Sequence, residues 1–249
     1  MTAQDALHTL LRKRIALPCE KKRGNFTKKP SESNCPLKNS AARAANPKKY
    51  LSCVKTVLLQ GAVRNTVWIS AVICGLNGAG KSTLGKALAE ALHYRFIDIE
   101  DIYFPKVNPD YLYSNPRSFE EVKSILADIV SENDSFVLAS VRGTFDEDIT
   151  FRFTDIIYIE VPKEIRIQRV YNRSYSKFGE RMCEGGDLYE KETTFFELVK
   201  SRDEDMVEKW LLSVSCPIIR VDGTLPICDN VKRIIDQLQT PFRPVPLSL

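Results

Sequence analysis

The sequence predicts an α/β fold, a parallel sheet between two layers of helix, in residues 61–240, with a basic arm over residues 1–60 ahead of it. Three observations predict it. From Val67 onward, short apolar runs alternate with segments of helical period. Parallel strands need a helical crossover between them and are covered on both faces, so such runs are continuously apolar. An early junction in this series, "VICGLNGAGKSTLGKALAEAL", packs Gly75, Gly78 and Gly80 into one turn between a strand and a helix. Finally, charge divides the chain. Residues 1–60 carry 13 Lys+Arg and 3 Asp+Glu, a surplus of +10, and the remaining 23 basic and 29 acidic residues give −6.

The elements follow in order. "VWISAVIC" is short, apolar and β-rich, a buried strand. "KSTLGKALAEAL" is a run of good helix formers, and "RFIDI" is a second strand. "SFEEVKSILADIVSE" opens with Ser118 and has Glu121 three residues later, the pattern of a reciprocal N-terminal cap. "SFVLAS" and "DIIYIEV" are the third and fourth strands. Pro162 stands at the favoured first turn of the helix "PKEIRIQRVYNRS". A glycine-bearing segment over Lys177–Asp187 precedes a long helical stretch, Leu188–Val214, with room for two helices. "PIIRVDG" is the fifth strand and "ICDNVKRIIDQL" the last helix. The tail, residues 241–249, is broken by prolines. In the arm, "EKKRGNFTKKPSESNCPLKNS" is too polar and too charged to bury a core, which predicts disorder.

Composition excludes several classes. The seven cysteines are dispersed, with no CxxC pair and no histidine at ligand spacing, as expected of reduced thiols and not of a disulfide framework or zinc site. No apolar run approaches a membrane span, and the N-terminus lacks the long apolar stretch of a secretory signal. The expected location is cytoplasmic, with mitochondrial targeting by the basic arm the lesser alternative. The only histidines are His8 and His93, which leaves a histidine-dependent triad without its base.

The glycine turn carries the chemistry. Gly75-Leu76-Asn77-Gly78-Ala79-Gly80-Lys81-Ser82 matches G-x-x-x-x-G-K-[ST] at every fixed position, with a strand before it and a helix after it. Glycines allow the main chain to wrap with its N–H groups inward as an anion nest, and the helix adds its N-terminal dipole. Lys81 neutralises β- and γ-phosphate oxygens, and the Ser82 hydroxyl ligates Mg²⁺. An ordinary strand–helix turn accounts for one or two of these glycines, not for three followed by Lys-Ser. The expected ligands are ATP and Mg²⁺, with Gly75, Asn77, Gly78, Ala79, Gly80, Lys81, Ser82 and Thr83 around the phosphates.

Beyond the loop, the chain resembles the nucleotide-kinase-like group of P-loop proteins: adenylate, cytidylate, shikimate and gluconate kinases. The residues that carry the resemblance are "FIDIED" after the first helix, Arg142 after the third strand, Arg166, Arg169 and Arg173 with Arg181 in the glycine-bearing loop, and "IIRVDGTLP" near the end. The resemblance implies a sheet order of 2-3-1-4-5 with a small lid. It implies that Asp98 and Glu100 organise the metal and the acceptor hydroxyl, with Asp98 beside Ser82 as the metal's acid. It places the acceptor near Arg142, puts Arg169 and Arg173 on phosphate, and sets the loop after the fifth strand against the adenine. One departure stands out. The third strand ends in Ser140 and lacks the acid usual there, which leaves the acceptor unnamed. The chain has neither an NKxD guanine reader nor an LSGGQ signature.

The expectation is an ATP-dependent small-molecule kinase that moves the γ-phosphoryl group to a nucleoside, a nucleotide or a similar hydroxyl metabolite, as a monomer or homodimer. Lys81, Asp98, Glu100, Arg142 and Arg173 carry the transfer in this reading. The alternatives are an ATPase or nucleotide switch working with a protein or nucleic-acid partner, which the basic arm favours, and a non-catalytic ATP-binding protein. Aromatics for base stacking are scarce in the arm, with only Phe26 and Tyr50, so contact with nucleic acid or an anionic surface is the weaker reading.

Overall fold

A computed structural model describes residues 68–238 with the exception of Pro109. The arm over residues 1–60, the tail over 241–249 and the exact limits of the folded unit lie outside the described residues.

Strand β1 (Ser70–Cys74) is buried at every position and occupies the middle of the sheet. Helix α1 (Lys81–Leu92) leads to β2 (Arg95–Asp98), then a short α2 (Ile99–Tyr103) and α3 (Phe119–Ser131). Next come β3 (Phe136–Ala139), a single turn α4 (Glu147–Thr150) and β4 (Asp155–Glu160). Helix α5 (Lys163–Phe178) runs into a 3₁₀ turn (Gly179–Met182), α6 (Tyr189–Lys200) and α7 (Met206–Leu211). Strand β5 (Ile218–Asp222) and helix α8 (Ile227–Leu238) close the fold.

The five strands are all parallel in the order β2-β3-β1-β4-β5. The order is the expected one, with Ile73 level with Ala139 on one side and Ile157 on the other. Because side chains alternate across a strand, β1 sends Ala71 and Ile73 to one layer and Val72 and Cys74 to the other. The first layer packs Leu84 and Leu88 of α1 with Val231, Ile234 and Leu238 of α8. The second packs Val122, Leu126 and Val130 of α3 with Val207 and Leu211 of α7. A satellite cluster of Val170, Phe195 and Val199 joins α5 to α6.

Local signals behave as their chemistry dictates. Ser118 caps α3 through the Glu121 N–H, and Glu121 bonds back to the Ser118 N–H at 2.8 Å. Pro162 is the residue before α5 and not within its first turn, and the helix continues through Phe178. The stretch Leu188–Val214 does divide into two helices. Cys74, Cys183, Cys216 and Cys228 are free thiols, as expected of reduced cysteines. Among the described residues, no helix is long and apolar enough to cross a membrane.

Candidate active site

The site begins where β1 ends. Gly75, Gly78 and Gly80 all take positive φ, at 146°, 83° and 101°. An L side chain resists this region, which is why the turn is built of glycine. At Gly78 the constraint is also steric, since a Cβ would lie 2.3 Å from the Arg166 carbonyl oxygen. Gly80 caps the N-terminus of α1, so Lys81, Ser82 and Thr83 occupy its first turn, where N–H groups lack helical partners. The Gly75 N–H donates to the Val141 carbonyl (3.3 Å) and the Ala79 N–H to that of Leu76 (3.1 Å), which hold the loop closed.

Above the loop lies a cavity of about 250 Å³. Asn77, Gly78 and Gly80–Thr83 form its floor, and Glu100, Arg169 and Arg173 form its walls. The Lys81 ammonium donates to the Leu76 carbonyl at 3.2 Å. Burial, with Arg173 and Arg202 adding repulsion, brings the Lys81 pKa down to about 8, while Glu100 opposes the shift. A cation so destabilised is poised to accept an anion. The Asn77 side chain is buried, and its Oδ1 has no hydrogen-bond partner among the described residues.

The acid pair stands at the end of β2. Asp98 accepts the Glu100 N–H at 3.0 Å and so caps α2. Burial, and after it the charge of Glu100, raises the Asp98 pKa, and a hydrogen bond from Ser82 partly offsets the rise. Glu100 lines the cavity and faces Arg173 at 4.0 Å. Asp101 turns outward to an ion pair with Lys106.

The Ser82 hydroxyl at the cavity and the Asp98 carboxylate beside it are hard oxygen donors of the kind that suits Mg²⁺. Among the described residues no group of three His, Cys, Asp or Glu could hold a metal.

The four arginines of the anticipated lid divide by role. Arg173 and Arg169 line the cavity, and Arg169 also donates to the Gly223 carbonyl at 3.0 Å. The loop after β5, from "VDGTLP", thus sits against the phosphate loop. Arg166 is buried and braces the structure, donating to the Val161 and Asn77 carbonyls and to Glu204. Arg181 pairs with Asp187 on the lid surface, away from the cavity lining. Arg142 follows β3, half-buried, with burial lowering its pKa.

Sequence reasoning missed Arg202, in the turn between α6 and α7. Burial brings its pKa down to about 10, with Glu100 opposing the shift and Arg142 and Arg166 adding to it. In "KSRDED" the adjoining acids make it read as a solvated turn, and no spacing rule distinguishes it.

Aromatic rings cluster where the segment after α2 meets α5. Phe104 packs edge-on against Tyr113 (5.2 Å), and Tyr111 contacts Tyr113 (5.8 Å) and Phe178 (5.5 Å). The Tyr111 hydroxyl donates to the fully buried Glu192 at 2.9 Å, Arg181 donates to the Asp110 carbonyl, and Lys177 donates to Tyr113. The segment after α2 and the lid are joined by these contacts.

Residues 72–193 match a family model described as an AAA domain. A Bacillus subtilis (strain 168) protein of uncharacterised function, YqaC, is 24% identical over 176 residues, covering 68% of this chain and 96% of that protein. A shikimate kinase from Microcystis aeruginosa is 28% identical over 109 residues, 41% of this chain and 57% of the kinase, so the match spans little more than half of that enzyme's length. A solved shikimate kinase from Acinetobacter baumannii, in complex with shikimate, superimposes over 69% of this chain and 93% of its own, at a TM-score of 0.43 and 20% identity.

Proposed function

From the premise that this chain belongs to the P-loop kinase-like superfamily, we propose that it transfers the γ-phosphoryl group of ATP to the hydroxyl of a small acceptor, with nucleosides and nucleotides the leading class. The observation that carries this reading is the cavity itself, where main-chain amides, Lys81, Ser82 and Thr83 meet Glu100, Arg169 and Arg173 in one space. Phosphoryl transfer asks the protein for position and charge cancellation more than for covalent chemistry.

In this reading the amides of Gly78–Thr83 hold the β- and γ-phosphates. Lys81 exchanges its Leu76 carbonyl for phosphate oxygen and gains a counter-charge. Ser82 and Asp98 would hold Mg²⁺, whose charge would offset that of the phosphates. Glu100, lining the same cavity, orients the acceptor hydroxyl. As the acceptor oxygen bonds to phosphorus, the bond to the β-phosphate oxygen breaks, ADP leaves, and the hydroxyl proton passes to Glu100. Arg169 and Arg173 cancel charge on the moving group. Arg142 serves the acceptor side.

The test is an acceptor screen with product mass spectrometry on the full chain. Lys81→Ala should abolish nucleotide binding and turnover, and Glu100→Gln should lower kcat by about 100-fold or more with ATP affinity retained. Unchanged ATP affinity in Lys81→Ala overturns the site. Deleting residues 1–60 separates this reading from a partner-driven ATPase, because a small-molecule kinase keeps its turnover without the arm.

A further inference from the structure

Arg166 reaches the phosphate loop without lining its cavity. It is 3% exposed, and its guanidinium donates to the Val161 carbonyl (3.1 Å), to the Asn77 carbonyl (3.4 Å) and to the carboxylate of Glu204, which Lys163 also faces at 3.5 Å. With its nitrogens so engaged, Arg166 is no ligand of the phosphates. What it holds is one peptide. The Ala79 N–H donates to the Leu76 carbonyl at 3.1 Å, so Leu76–Ala79 is a hydrogen-bonded turn with Asn77 and Gly78 at its centre. Gly78 has a φ of 83° and Asn77 keeps a negative φ, which makes the turn type II. Types I and II differ in the direction of the central peptide, which rotates by about half a turn between them. Here that peptide joins Asn77 to Gly78. It is trans, so its carbonyl and its N–H point in opposite directions. The carbonyl is turned to Arg166, and the N–H faces away from it, on the side of the cavity that Gly78 lines. No backbone carbonyl among the described residues accepts that N–H.

Glycine adopts either sign of φ at little cost, so a contact from outside the turn decides which way this peptide faces. In the type I alternative the Asn77 carbonyl would take the place of the Gly78 N–H and present oxygen to the phosphates, where an anion needs a donor. We propose that Arg166 is a positioning residue for the nucleotide: by holding the Asn77 carbonyl it keeps the turn in type II and the Gly78 N–H directed at the polyphosphate. The guanidinium acts through the peptide and does not touch the ligand, and Glu204 in turn fixes the guanidinium. The proposal rests on the nucleotide site of the kinase reading and is independent of the acceptor.

The test titrates ATP and, separately, inorganic tripolyphosphate into the full chain with Mg²⁺. Calorimetry is run well below each variant's melting temperature, where lost stability alone leaves the dissociation constant unchanged. Tripolyphosphate has no base or sugar and reads the loop by itself. Arg166→Gln should weaken both ligands by about 10- to 100-fold, the worth of one hydrogen bond to a charged group. Arg166→Lys keeps the charge and a donor, and should fall between that variant and wild type. Glu204→Ala, at a half-exposed position outside the cavity lining, should weaken both ligands in the same direction and by less. A crystal structure of Arg166→Gln should show Gly78 at negative φ with the Asn77 carbonyl on the cavity side. Wild-type affinity in folded Arg166→Gln overturns the proposal, as does weaker binding with the turn still of type II. Should Arg166→Gln fail to fold, Arg166→Lys and Glu204→Ala decide, and wild-type affinity in both overturns it. A wild-type chain that binds neither ligand removes the nucleotide site and the proposal with it. A wild-type chain that binds both, with variants that bind equally well, leaves the site and removes only the role of Arg166.

Discussion

The glycine-rich loop and the walls of its cavity are built by different means. The loop works with main chain, through three glycines at positive φ, N–H groups at a helix start and one lysine. The walls of the cavity use side chains from separate segments: Glu100 from α2, and Arg169 and Arg173 from α5. A site made of backbone conformation must be written in consecutive residues. One made of side chains is assembled only by the fold, and its members need share nothing in sequence.

The sharpest way to break this contrast is Gly78→Ala. Its Cβ would meet the Arg166 carbonyl, at a φ that alanine resists, and the expected loss is about 3 kcal/mol or more of stability together with nucleotide binding. Gly80→Ala is the control, since nothing lies within 4 Å of its Cβ, and only the φ penalty of about 1–2 kcal/mol remains. Equal losses at the two positions, by chemical denaturation, would show that the loop is not tied to α5.

In the aromatic cluster, Tyr111→Phe removes one hydrogen bond to the buried Glu192 and should destabilise the fold by about 1–3 kcal/mol. Acceptor kcat/KM should fall while the ATP dissociation constant stays put. Should the ATP constant shift as much as the acceptor term, the two halves do not divide the work.

Lys81→Met gives a smaller effect of opposite sign. The folded pKa of about 8 lies below the ordinary 10.5, so between these values the unfolded chain binds the proton and the folded chain does not. The penalty on the wild type is full below pH 8 and disappears as pH rises through 10.5. The ligand-free variant should therefore be more stable than wild type by about 1–2 kcal/mol at neutral pH and no more stable near pH 10.5, as thermal melts across pH would show. Smallest of all, Arg181→Ala removes an exposed lid pair and should change stability by about 0.5 kcal/mol or less.

How much could be read in advance follows the same division. The sheet was legible because each parallel strand is a continuous apolar run, and its order came from the resemblance. The position of Asp98 and Glu100 near the loop could be read in advance, because they stand at the end of the strand that follows the loop's own helix. Arg166 was legible only as one of the arginines that carry the resemblance, and its role as a brace depends on Glu204, far along the chain. Arg202 was invisible, because the burial that sets it apart arises only from tertiary packing. Glu192 read as one more polar helix residue, and only the fold reveals it as fully buried.

The Arg166 brace bears on timing. One guanidinium touches the Asn77 carbonyl in the loop and the carboxylate of Glu204, two positions from Arg202. On the kinase reading, a nucleotide that tightened the loop would load this brace before a second substrate bound, which predicts ordered addition with the nucleotide first.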